Sequence, residues 1–120
     1  MIIIGGVGGG SHTIVDCHVG TNAAGTAAVA NGWRLADSAG IMVLNSGNTM
    51  GGANANQGNV ISGNRGHGVL LQGRNNHLIN NKIGTGISTS TALGNDLDGI
   101  FVTGGQFANA TCEILGNTIF

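Results

Sequence analysis

Three short motifs recur along the chain in a fixed order, and that order decides what the chain can fold into. Gly-apolar-x-apolar stands at Gly40-Ile41-Met42-Val43, Gly68-Val69-Leu70-Leu71 and Gly99-Ile100-Phe101-Val102. A polar-x-apolar triplet follows each one, at Asn48-Thr49-Met50, Asn76-His77-Leu78 and Cys112-Glu113-Ile114. A second triplet follows the first, at Asn59-Val60-Ile61, Asn81-Lys82-Ile83 and Asn117-Thr118-Ile119. Each motif is long enough for a strand of three to five residues, with Gly or Asn supplying the corner. Three such strands per repeat describe one coil of a solenoid. Stacked coils then pair like strands in parallel, roughly 4.8 Å apart.

Composition removes the competing classes. With 24 Gly and 15 Asn in 120 residues, helix interiors are disfavoured throughout. A doubly wound α/β sheet needs helices between its strands. A sandwich needs hairpin turns between neighbours, whereas these strands align across about 30 residues. The chain is 41% hydrophobic, so it buries a core rather than remaining solvated. Only 8% of residues are charged and the net charge is −1, which leaves no basic field for nucleic acid. No apolar run reaches the length of a membrane-spanning helix. Met1-Ile2-Ile3-Ile4 has no charged segment before it and is too short for a secretory leader.

The expectation is one all-β domain of about four coils with three short strands each. The coils fall at roughly 1–39, 40–67, 68–98 and 99–120, with strands of coil 1 near 2–4, 12–14 and 17–19. Long insertions, residues 20–39 and 84–98, follow the third strand of coils 1 and 3 and leave the same corner. Val19-Gly20-Thr21 recurs as Ile83-Gly84-Thr85, and Ala28-Val29-Ala30-Asn31 as Ala92-Leu93-Gly94-Asn95, both at an offset of 64. The chain stops inside a repeat, and neither coil 1 nor coil 4 shows a charged or Pro-containing cap.

The segment Gly58-Asn59-Val60-Ile61-Ser62-Gly63-Asn64-Arg65-Gly66-His67-Gly68-Val69 and the segment Asn76-His77-Leu78-Ile79-Asn80-Asn81-Lys82-Ile83-Gly84-Thr85 carry a family pattern. So does Gly25-Thr26-Ala27-Ala28-Val29-Ala30-Asn31-Gly32. The chain resembles the right-handed parallel β-helix of the pectate-lyase-like superfamily, and within it the Asn/Gly-rich repeats of bacterial secreted and surface proteins. The resemblance spans almost the whole chain and supplies the right hand of the coil. It implies an extracellular or cell-surface location. The expected role is structural or adhesive, and the unpaired strand edges of coils 1 and 4 lead us to expect head-to-tail self-association into a homo-oligomer or filament. The alternative is a carbohydrate-active module that cleaves or binds a polysaccharide. Fold analogy alone does not choose between them.

Enzymes of that superfamily generally use clustered carboxylates, often with calcium, and an Arg or Lys base. The chain has five carboxylates, and Asp96 and Asp98 are the only close pair; as Asp before Gly99 they also suit a turn. His77 and Glu113 occupy matching outward positions of adjacent coils, where acid–base work or a cross-strand charge contact is available. No catalytic residue is assigned beyond these four candidates. His12, Asp16, Cys17 and His18 are metal-ligand types, but His12 and Cys17 sit where other coils place Asn48, Asn76, Asn59 and Asn81. Those are stacking positions for polar ladders. Adjacent Cys17 and His18 point to opposite faces, so no metal site is assigned, and no cofactor. Gly5-Gly6-Val7-Gly8-Gly9-Gly10 fits neither the dinucleotide nor the Walker pattern and reads as a corner.

Ile41, Val43, Met50, Ile61, Val69, Leu71, Leu78, Ile83, Ile100, Val102, Ile114 and Ile119 are expected to point inward as aliphatic stacks. The residues between them in the first strand, Ile3, Met42, Leu70 and Phe101, then form an outward apolar stripe, an interface that calls for a cover. Trp33 or Leu35 of the first insertion, a partner chain or a neighbouring domain could supply it. Cys17 and Cys112 lie three coils apart, about 14 Å, too far for a disulfide.

Overall fold

The structure, a computed structural model, describes residues 1–8, 10–32, 37–103 and 112–120. Twelve short strands follow one another in it, and no helix occurs among the described residues. Coil 1 contributes β1 (Ile2–Ile4), β2 (Thr13–Ile14) and β3 (His18–Val19). Coil 2 contributes β4 (Ala39–Val43), β5 (Thr49–Gly51) and β6 (Val60–Ile61). Coil 3 contributes β7 (His67–Leu71), β8 (His77–Ile79) and β9 (Lys82–Ile83), and coil 4 β10 (Ile100–Val102), β11 (Glu113–Leu115) and β12 (Thr118–Ile119).

The strands sort into three four-stranded parallel sheets, ordered β1-β4-β7-β10, β2-β5-β8-β11 and β3-β6-β9-β12. This is a right-handed parallel β-helix of four coils. Registers are uniform: Ile4, Val43, Leu71 and Val102 form one column, and Ile14, Met50, Leu78 and Ile114 another. Val19, Ile61, Ile83 and Ile119 form a third. Every coil therefore places an aliphatic side chain against those above and below it, and Ile41, Val43, Met50, Ile61, Val69, Leu71, Leu78 and Ile83 are fully buried. Burying each is worth about 1.5–3 kcal/mol relative to exposure.

The corners need residues that tolerate positive φ. Before the second-sheet strands stand Ser11 (φ 72°), Gly47 (φ 81°) and Asn75 (φ 55°); before the third-sheet strands stand Asp16 (φ 52°), Asn80 (φ 55°) and Gly116 (φ 65°). Ser, Asn, Asp and Gly carry that conformation at least strain. The residue after each corner turns inward and joins a ladder. Asn48 N–H donates to Asn76 Oδ1 at 2.9 Å, Asn59 N–H to Asn81 Oδ1 at 3.1 Å, and Asn81 N–H to Asn117 Oδ1 at 2.8 Å. The coil-1 members close the ladders by their backbones: His12 N–H donates to Asn48 Oδ1 and Cys17 N–H to Asn59 Oδ1. A third ladder, Asn31–Asn64–Asn95, runs along the corner where the insertions leave and was not evident in the sequence. Among the described residues no buried side-chain polar atom lacks a partner. The polar groups inside the fold are thus satisfied by their neighbours one coil away.

Four of the residues expected to point inward stack in register with the core but are not buried. Val102, Ile114 and Ile119 lie in the inward columns yet are 54%, 45% and 52% exposed, and Ile100 is only half-buried. Among the described residues coil 4 pairs with coil 3 alone, but coil 1 also pairs on one side only and still buries Ile4 and Val19, so the edge position is not the whole cause.

Candidate functional site

The sequence candidates for chemistry do not converge. His77 Nδ1 lies 3.8 Å from Glu113 Oε2 on the outer face of the second sheet, both side chains roughly half exposed. Asp98 lies at the entry to β10, where its N–H donates to His67 Nδ1 at 3.2 Å. That bond uses the Nδ1 lone pair, so the Asp98 carboxylate oxygen 3.4 Å away is a neighbour of the ring and not its donor's acceptor. Asp96 donates its N–H to Asn64 C=O at 2.9 Å, a corner contact. These residues belong to different faces of the coil. His12, Asp16, Cys17 and His18 likewise form no ligand cluster: no three His, Cys, Asp or Glu side chains converge among the described residues. Cys17 and Cys112 are both free thiols.

The outward stripe is graded rather than uniform. Ile3 is 55% exposed, Met42 is half-buried and Leu70 is buried although it lies outside the core cluster. Phe101, 38% exposed, stacks on the buried His67 ring with centroids 4.6 Å apart and planes within 10°. That contact joins coil 3 to coil 4 and was not legible in the sequence, since His67 precedes the repeated motif. Trp33 and Leu35, named as covers for the stripe, lie outside the described residues.

A groove of about 150 Å³ lies on the outer face of the third sheet, with Val60 and Ile87 as apolar walls and Asp16, Asn56 and Lys82 as polar ones. Lys82 Nζ donates to Ile87 C=O at 2.7 Å, which ties the ammonium to the coil-3 insertion.

The surfaces with the most unsatisfied character are the two ends. At coil 1 a recess of about 390 Å³ opens between β1 and β2, lined by Ile2, Ile4, His12, Thr13 and Ile14. At coil 4, Val102, Ile114, Leu115, Ile119 and Phe120 are all exposed, and β10, β11 and β12 each pair on one side only. One end offers a hollow lined by aliphatic residues and the other an aliphatic shelf. Both also offer three strand edges whose backbone groups are set for another coil.

No family model matches the chain, and no curated protein or solved structure matches it.

Proposed function

We propose that the chain is a structural or adhesive β-solenoid segment of a secreted or cell-surface protein, of the pectate-lyase-like, Asn/Gly-rich kind, that associates head-to-tail with copies of itself. The observation that carries this reading is the pairing of end surfaces: an apolar recess at coil 1 and an exposed aliphatic shelf at coil 4. The registers inside the chain give the geometry of the joint. A second copy seated with β1, β2 and β3 over β10, β11 and β12 places Ile4 over Val102, Ile14 over Ile114 and Val19 over Ile119. Those columns already stack Ile4 on Val43 and Leu71 on Val102 within one chain. A head-to-tail contact is heterologous, so it repeats without closing and yields filaments rather than dimers.

Sedimentation velocity at rising concentration tests this reading. Mass should grow continuously with concentration, without a limiting dimer. A strict monomer at high concentration overturns it. The carbohydrate-active alternative draws on the groove between Asp16 and Lys82 and on the outward His77–Glu113 pair. Titration calorimetry with acidic polysaccharides, with and without calcium, decides it.

A further inference from the structure

The insertions after β3 and β9 are hairpins that share one base. Thr21 bridges Ala28 and Thr85 bridges Ala92, both antiparallel. The closing bonds match as well: Val29 N–H donates to Gly20 C=O at 2.8 Å and Leu93 N–H to Gly84 C=O at 3.0 Å. Both hairpins start from a glycine at positive φ, Gly20 at 91° and Gly84 at 78°. Each of these base contacts is related to the other by the 64-residue offset, whereas the tips turn at different places: Gly25 N–H donates to Asn22 C=O in the first hairpin and Thr91 N–H to Ser88 C=O in the second.

The two hairpins also touch, although a full coil separates them. Ile87 N–H donates to Gly25 C=O at 2.8 Å. Coil 2 turns this corner without an insertion, and its Gly63 fits between the hairpins. Gly63 N–H donates to Leu93 C=O at 2.9 Å, and a Cβ at Gly63 would stand 2.6 Å from Ala28 Cβ. The hairpins therefore build a side ridge that advances two coils at a time, about 10 Å.

The offset maps the donor Ile87 onto Ala23 and the acceptor Gly25 onto Thr89. Ala23 and Thr89 are exposed, and Ala23 N–H and Thr89 C=O have no hydrogen-bond partner among the described residues. They are the loose ends of a contact that the chain makes once internally. On the second sheet the register sets a hydroxyl opposite a carboxylate, which can accept its hydrogen bond. Glu113 is the one charged side chain on the described strands of coil 4, and the arriving coil 1 presents the Thr13 hydroxyl beside His12.

We infer that a second copy of this chain, seated with its coil 1 on coil 4, also docks its 21–28 hairpin on the 85–92 hairpin, Ala23 N–H meeting Thr89 C=O. This inference rests on the head-to-tail reading and adds a register to it. Within the chain, a Cβ at Gly25 would stand 3.0 Å from Ile87 Cβ. Gly25 holds a φ of 66° that Thr89 does not share, so the joint between copies sets the two hairpins side by side without repeating that internal approach. The ridge then runs unbroken along the assembly, and only one rotational setting of the two copies satisfies it.

Cysteine crosslinking tests the register. In a background with Cys17→Ser and Cys112→Ser, the Ala23→Cys/Thr89→Cys chain is oxidised mildly with copper–phenanthroline and run on a non-reducing gel. The inferred contact brings the two Cα atoms within disulfide reach, so a ladder of covalent oligomers is expected. Ala23→Cys mixed with Thr89→Cys should stop at crosslinked dimers. Circular dichroism and sedimentation on the same chains report folding and association separately. Association without a ladder overturns the hairpin contact and leaves head-to-tail stacking through the core standing. A monomeric chain without a ladder overturns both. Ala23→Pro, which removes the donor from an exposed position, should weaken association at least threefold while the monomer spectrum stays unchanged.

Discussion

The two ends of the solenoid finish the same stack in different ways. In the column Ile4–Val43–Leu71–Val102, the coil-1 residue is 7% exposed and the coil-4 residue 54%. In the column Val19–Ile61–Ile83–Ile119 the values are 4% and 52%. Residue type does not explain this, because all eight are aliphatic. The connections differ: β3 runs directly into Gly20 and a hairpin that bonds back to it, while β12 is followed by exposed Phe120. Both are end coils with one paired neighbour, so burial at an end is set by what the chain folds over it as well as by place in the stack.

The strongest way to break that comparison is to place one substitution at two heights of one column. Leu78 and Ile114 are in register, the first fully buried and the second 45% exposed. Leu78→Asp puts an unpaired carboxylate in the core and should cost about 4 kcal/mol or more, leaving the chain unfolded by circular dichroism. Ile114→Asp keeps its carboxylate in water and should cost under about 1 kcal/mol. Equal losses in urea titrations would show that coil 4 is as closed as coil 3.

The ladder allows the same contrast with polar groups. Asn81 accepts the Asn59 N–H at 3.1 Å and donates to Met50 C=O at 3.0 Å and Asn117 Oδ1 at 2.9 Å. Asn81→Ala leaves the buried Asn59 N–H without its acceptor and should cost about 2–4 kcal/mol. Asn117→Ala takes the acceptor from Asn81 N–H and Nδ2, but at the half-open end, where water can replace it, and should cost about 1 kcal/mol. Midpoints in urea measure both, and a reversed order would mean that the ladder is not the element that ties the coils together.

The ends themselves are separated by variants that spoil one surface each. Ile119→Lys blocks the shelf and Ile2→Lys the recess, each shifting monomer stability by about 1 kcal/mol or less because neither residue is fully buried. Either variant alone should sediment as a monomer. Mixed one to one, they should form a dimer that does not grow, because one unspoiled shelf meets one unspoiled recess. Two variants that each still polymerise would locate the contact elsewhere.

The sequence exposes the repeating part of this molecule well, for a physical reason. In-register parallel stacking forces the same residue type into the same column, so Ile61 over Ile83 and Asn59 over Asn81 are visible as a pattern. The three sheets and the inward columns follow from that pattern. Where nothing repeats, the pattern is silent. The left-handed corner residues Ser11, Asp16, Asn75 and Asn80 are four positions of three residue types, joined by conformation rather than by identity. Asn31 and Asn95 repeat at the 64-residue offset, but Asn64, which joins them into a ladder, follows its strand with no insertion and so breaks that spacing. The His67–Phe101 stack depends on a ring that belongs to no motif. The exposure of coil 4 is hidden for another reason: Ile114 and Leu78 look alike in sequence, and only their heights in the stack tell them apart. The candidate site was legible in part. The stacking of like strands followed from the repeat, whereas the recess between β1 and β2 and the paired hairpins are visible only in the structure.

The smallest expected effect concerns the outward pair of coils 3 and 4. His77 Nδ1 and Glu113 Oε2 are 3.8 Å apart, beyond hydrogen-bond distance, and both side chains are about half exposed. An exposed pair of this kind contributes from nothing to about 1 kcal/mol. Glu113→Gln keeps the shape and removes the charge, so it should change stability by under about 0.5 kcal/mol and weaken association less than Ile119→Lys does. The contrast has a direct readout in salt. If the aliphatic shelf drives stacking, association of the parent and of Glu113→Gln should respond alike to added sodium chloride, since burial of apolar surface carries no screening. If Glu113→Gln abolishes association, or the parent dissociates steeply as salt rises, the coil-4 end works through its single charge. The two ends would then differ in electrostatics rather than in how far their aliphatic columns are covered.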